Sequence, residues 1–130
     1  MRTDKIMVVD DDPAIRRLAE VSLAQLGGWQ VSLAASGAQA LERIFSEKPD
    51  VLLIDVMMPG MDGPTTVNLI KENGDNWNTP VIFFTAKCKN DDMKKFAKLG
   101  AGVISKPFDP MTLSTEIKNI LARGYAKAAG

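Results

Sequence analysis

The sequence contains no histidine, and that absence removes several mechanisms at once. A Ser-His-Asp triad, a Cys-His pair and an imidazole zinc site each need a ring that is not there. Nor can the chain carry a phosphohistidine, so a phosphoryl group passed from histidine must come from another molecule. Cysteine occurs once, at Cys88. No internal disulfide can form, which excludes a small extracellular scaffold held by bridges. Long apolar runs are missing too. Met1-Arg2-Thr3-Asp4-Lys5 leads into a short apolar run, Ile6 to Val9, and then an acidic cluster. A signal-peptide core or a membrane span needs far more. The cytoplasm is the expected compartment, with no membrane partner. Net charge is also lacking: 16 basic and 16 acidic residues cancel. Electrostatics therefore provides no reason to expect direct binding of nucleic acid.

What is present suits one soluble domain. The 130 residues are 45% apolar and 25% charged, enough to bury a core without staples. Five short apolar runs alternate with helical patterns: Ile6 to Val9, Trp29 to Leu33, Val51 to Ile54, Val81 to Phe84, and Ala101 to Ile104. The first, third and fourth are apolar at successive positions, as in strands covered on both faces of a parallel sheet. Between the first two runs, Ile15, Leu18, Ser22 and Leu26 follow one side of a helix that Gly27-Gly28 stops. A second helix is expected from Ser36, as cap, to Ser46, before Pro49. A third opens at Gly63-Pro64 and decays into Asn73-Gly74-Asp75-Asn76. A fourth runs from near Asn90 or Asp91 to Gly100. The last places Leu113, Ile117, Ile120 and Leu121 on one stripe and fades from Ala126. The order is (βα) five times, an α/β open parallel sheet with helices on both faces. A single domain over residues 1–130 is expected, with its core at about 5–122 and a short flexible C-terminal tail.

In such a sheet the ligand sits at the carboxyl ends of the strands. The loops on that edge offer Asp10-Asp11-Asp12, Asp55, Thr85-Ala86 and Lys106-Pro107. Asp12, before Pro13, reads as a helix cap. Asp10 and Asp11 have no packing reason to end an apolar strand. Clustered carboxylates repel one another unless a cation occupies the site. Lys106 supplies one charge, and all-oxygen ligands favour a hard divalent ion, Mg²⁺ first and Mn²⁺ as a substitute. A carboxylate can itself attack phosphorus and form an acyl phosphate.

These residues also resemble a known family. Val8-Val9-Asp10-Asp11, the segment Leu53-Ile54-Asp55-Val56-Met57-Met58-Pro59-Gly60-Met61-Asp62-Gly63, Thr85-Ala86 and Lys106-Pro107-Phe108 resemble the receiver domains of bacterial response regulators. The resemblance runs from Lys5 to about Ala122, and the segment after Asp55 is its most specific part. It implies a flavodoxin-like (βα)5 fold with strand order 2-1-3-4-5. It implies that Asp55 is the phosphoacceptor, and that Asp10, Asp11, Asp55 and the backbone carbonyl of Met57 hold Mg²⁺. Thr85 and Lys106 would contact phosphoryl oxygens. The donor would be a sensor histidine kinase or a histidine phosphotransfer protein. The output would be a downstream protein, or a second copy of the chain on phosphorylation, bound through the fourth helix, fifth strand and fifth helix (about 91 to 121).

Two departures from the family pattern bear on the switch. Val103, three residues before Lys106, replaces the usual aromatic, so no ring there can rotate with Thr85. Met57 offers no polar group to orient an attacking water, and Lys87 brings a charge near the mouth; slow self-dephosphorylation is expected. Met93, Phe96 and Lys94-Lys95 are candidate contacts, with Phe96 equally a core residue. Phe108 is expected beneath the Lys106 loop, and Trp77 is either a lid over the core edge or a partner contact.

Three other readings compete with this one. A haloacid-dehalogenase-type phosphatase would use Asp10 of Asp10-Asp11-Asp12, but generally carries cap insertions and a late acidic motif that this chain lacks. A nucleotide-binding module would need a phosphate loop where this chain has acids. A docking receiver that works without phosphorylation would not need its reactive residues. No output domain is expected within the residues after the last helix. A complete chain would act alone or in a relay, whereas a fragment would lack a DNA-binding or enzymatic output.

Overall fold

The computed structural model of the chain describes residues 4–86, 94, 96, 98, 99 and 102–129, with side chains described as far as residue 123. Five strands, β1 (Lys5–Val9), β2 (Gln30–Ala34), β3 (Val51–Asp55), β4 (Val81–Thr85) and β5 (Gly102–Ser105), form one parallel sheet. Their order is β2-β1-β3-β4-β5, as the resemblance implied. Helices α1 (Pro13–Val21), α2 (Gly37–Glu47), α3 (Gly63–Asn73) and a C-terminal helix (Leu113–Ala129) cover it.

The apolar runs are continuous because both faces of the sheet are packed. Ile6, Val8, Leu53, Ile82 and Phe84 point to one face, beneath Ala19 and Leu23 after β1 and beneath Leu113, Ile117 and Ile120 of the C-terminal helix. Met7, Val9, Leu52, Ile54 and Phe83 point to the other, beneath Ala40 and Ile44 of α2 and Val67 and Ile70 of α3. Each such side chain contributes about 1.5–3 kcal/mol by leaving water. The helix starts are capped by side chains, at Asp12 and Ser36 as expected and at Asp62 in addition. Asp12 accepts from the Ala14 amide (2.9 Å), Ser36 from Gln39 (3.1 Å) and Asp62 from Thr65 (2.8 Å).

Several boundaries differ from expectation. Leu18 and Leu26, expected on the inner stripe of the first helix, are 41% and 56% exposed, while Ala19 and Leu23 are buried. After Val21 the helix widens into a π-helical turn, Ser22–Leu26. More residues per turn carry Leu26 round to the side of Leu18, away from the core. β2 starts at Gln30 rather than Trp29, whose ring is buried and whose indole N–H donates to Ser114 Oγ at 3.0 Å. Lys94, Phe96, Lys98 and Leu99 are helical, and the expected ends of that helix lie outside the described residues. The C-terminal helix continues to Ala129, beyond the fade expected at Ala126. Trp77 is half-buried against the second core cluster, which makes it a lid over the core edge. Among the described residues, no helix is long and apolar enough to cross a membrane.

Candidate functional site

Parallel pairing brings the ends of β1, β3 and β4 level with one another; β3 and β4 end in Asp55 and Thr85, and Asp10 directly follows β1. Past Val9, the Asp10 amide still donates to Ala34 O at 3.2 Å, so the ladder itself fixes this residue. Its side chain has no exposed surface. One carboxylate oxygen accepts from the Asp12 amide (2.9 Å) and the other from the Lys106 ammonium (2.6 Å). Asp55, the last residue of β3, is buried; its Oδ1 accepts from the Met57 amide at 3.3 Å, and its Oδ2 lies 3.3 Å from Lys106 Nζ. Thr85 ends β4, is buried, and lines the same cleft. Its carbonyl accepts from the Lys106 amide at 2.8 Å, which carries the β4 pairing one step beyond β5. The Lys106–Pro107 peptide is cis.

The cleft has a volume of about 620 Å³. Asp10, Asp11 and Asp55 each offer it a carboxylate oxygen, and these oxygens lie within 4.8 Å of one another. Three acids against one ammonium leave an excess of negative charge. Burial pushes the Asp55 carboxyl above the ordinary aspartate value; the Asp10 charge raises it further, while Lys106 only partly opposes them. Burial alone would lower the Lys106 ammonium. The Asp10 hydrogen bond and the charges of Asp10 and Asp55 outweigh it and raise the value. A crowded, all-oxygen set of this kind fits a hard divalent cation, whose charge would relieve the repulsion.

The expected site residues Asp10, Asp11, Asp55, Thr85 and Lys106 therefore share one cleft, and Met57 borders it. Asp12 also borders it, but its side chain caps α1. The Met57 side chain is 76% exposed beside Asp55. Val103 is half-buried in β5 against the second core cluster, and presents no ring. Phe96 packs on Phe83 with centroids 5.0 Å apart, as a core residue. Phe108 packs on Phe84 below the Lys106 loop. Lys87, Met93 and Lys95 lie outside the described residues.

Two neighbours were not foreseen. Arg16, in the first turn of α1, donates to the Asp10 carbonyl at 2.6 Å. Phe84 lies under Lys106, with 5.0 Å from Nζ to the ring centre. No spacing rule reports the Phe84 contact, because it joins β4 to the loop after β5. Gly63 has a close approach behind Asp55: a Cβ there would meet the Asp55 carbonyl oxygen at 2.4 Å.

Comparison with known proteins agrees with this geometry. The family model of the response regulator receiver domain matches residues 6–118. Response regulator Rre1 of Synechocystis is 32% identical over 124 residues, which are 95% of this chain and 54% of that protein. The chain spans about half the length of the curated relatives it matches. Among solved structures, Vibrio cholerae chemotaxis protein CheY4 superposes with a TM-score of 0.84 at 28% identity, over 92% of this chain and 99% of that one. The receiver domain of Francisella response regulator 1452 does so with a TM-score of 0.82 at 28% identity, over 93% and 98%.

Proposed function

This chain belongs to the response regulator receiver family, and from that membership we propose that Asp55 is its phosphoacceptor. Receiver domains are signalling modules of two-component systems, and their donors are histidine kinases or phosphotransfer proteins. The chain has no histidine of its own, in keeping with a donor in trans. The observation that carries the reading is the position of Asp55. It is a buried carboxylate 3.3 Å from the Lys106 ammonium, in a cleft shared with Asp10, Asp11 and Thr85.

In the proposed step, an Asp55 carboxylate oxygen forms a bond to phosphorus as the donor's nitrogen–phosphorus bond breaks. The departing imidazole nitrogen keeps the electron pair and takes up a proton. Lys106 neutralises one phosphoryl oxygen, and Thr85 donates its hydroxyl to another. Asp10, Asp11, Asp55 and the Met57 backbone carbonyl would hold Mg²⁺ or Mn²⁺. A divalent ion there supplies further positive charge against the phosphoryl oxygens. A dianionic group on Asp55 then favours the arrangement in which Thr85 and Lys106 close on it, a population shift. The surface formed by the helix after β4, by β5 and by the C-terminal helix passes that shift to a downstream protein or a second copy of the chain.

Labelling tests this directly. With a phosphorylated kinase or acetyl phosphate and Mg²⁺, the wild type takes up acid-stable, base-labile label. Asp55→Asn takes up none, and chelation stops uptake. Label retained in Asp55→Asn but lost in Asp10→Asn would transfer the nucleophile to Asp10 and overturn the reading.

A further inference from the structure

Lys106 is contained on three sides. Two are carboxylates, Asp10 at 2.6 Å and Asp55 at 3.3 Å. The third is aromatic: the ammonium stands 5.0 Å from the centre of the Phe84 ring. Phe84 has no exposed surface, and Phe108 packs on it with centroids 5.2 Å apart and planes tilted by 43°. A ring so enclosed has little freedom to turn away. Its face carries negative potential, which attracts a cation that has lost part of its water. An aliphatic residue of similar size would fill the space and attract nothing. Phe84 also precedes Thr85, so one strand end supplies both the hydroxyl of the cleft and the ring beneath the ammonium.

We propose that Phe84 is a positioning residue whose ring face holds the Lys106 ammonium at the cleft, ready for a phosphoryl oxygen, with Phe108 locking the ring in place. The inference rests on the reading of Lys106 as a phosphoryl contact. Without the ring, the long lysine side chain would spread over more rotamers, and each productive encounter would have to select one of them.

The test replaces Phe84 in the whole chain with mono-, di- and trifluorophenylalanine, which weakens the ring face stepwise while keeping its shape. Phosphorylation by acetyl phosphate with Mg²⁺ should slow at each step, by about tenfold in total, and Phe84→Leu should slow as much. In a Lys106→Met background the rate should be low and insensitive to fluorination. A flat fluorine series beside a slow Lys106→Met protein overturns the role of Phe84 and leaves that of Lys106 standing. A Lys106→Met protein as fast as wild type overturns the reading of Lys106, and this inference with it. A second readout needs no phosphoryl group. The Lys106 ε-methylene protons should be shifted upfield by the ring in wild type and return in Phe84→Leu; unshifted protons in wild type overturn the contact itself.

Discussion

Lys106 and Asp10 are 96 residues apart in the chain, and the ammonium of one lies 2.6 Å from a carboxylate of the other that has no exposed surface. Breaking a buried pair by removing one partner typically costs about 3–5 kcal/mol, because the remaining charge has lost its water. The Lys106 side chain keeps 16% of its surface exposed, so water can partly replace it. Lys106→Met should therefore lose about 2–3 kcal/mol in metal-free buffer. Urea unfolding in the presence of chelator measures this, and added Mg²⁺ should restore part of it by binding the folded state alone. A loss below about 0.5 kcal/mol, in the range of an exposed pair, would show that Asp10 is not dependent on this ammonium.

Gly63 should tolerate no side chain. A Cβ there would stand 2.4 Å from the Asp55 carbonyl oxygen and 3.1 Å from its carbon, both backbone atoms that cannot swing aside. The Gly63 amide also donates to Val56 O at 3.0 Å, which closes the loop behind Asp55. Gly63→Ala should cost about 1–3 kcal/mol, as overpacking does, and should slow phosphorylation as well by displacing Asp55. Thermal unfolding and label uptake, measured on one preparation, check both. Gly60→Ala is a useful contrast, since a Cβ there meets nothing within 4 Å and only the positive φ of 76° is strained.

Met57 should set how long a phosphoryl group on Asp55 lasts. Its side chain is exposed and has no polar atom that could orient water toward Asp55. Met57→Asn adds an amide at that place. The phosphoryl lifetime should shorten by roughly tenfold, less than the roughly 10²–10⁴ of a positioned general base, because an amide orients the water without taking its proton. Decay of the label after removal of the donor gives the lifetime, and equal lifetimes for the two proteins would remove Met57 from the account.

Glu47 provides a pH signature away from the cleft. It accepts from Arg43 Nε at 2.6 Å and from the Ser32 hydroxyl, while Arg43 also caps the Leu33 carbonyl at the free edge of β2 (2.5 Å). The Arg43 hydrogen bond, then that from Ser32, holds the Glu47 carboxyl below the ordinary value of 4.5. A depressed carboxyl value stabilises the fold above the unfolded value and loses that stabilisation as pH falls through the folded one. Both side chains are about one-third exposed, so solvent reduces the effect to about 0.5 kcal/mol at neutral pH. The stability difference between wild type and Glu47→Gln should hold at neutral pH and disappear on acidification below 4.5. A difference that stays constant into acid would assign it to packing.

The amino-acid order alone determined the features that depend on near neighbours. The runs at β1, β3 and β4 are legible because a strand buried on both faces must be apolar at every position, and these are. The caps Asp12 and Ser36 are legible because each side chain reaches an amide two or three residues ahead. The acids at strand ends were legible as well, since a parallel sheet brings those ends to one edge. The strand order came only through the family resemblance, because periodicity does not say which strands pair. Tertiary structure decided the rest. The π-helical turn at Ser22–Leu26 rotated Leu26 outward against the helical repeat. Packing placed Phe84 under Lys106 and Arg16 on the Asp10 carbonyl. Periodicity and capping are interactions over a few residues and can be read from a short window. The pairing of Lys106 with Asp10 spans 96 residues, and only the assembled sheet sets that distance.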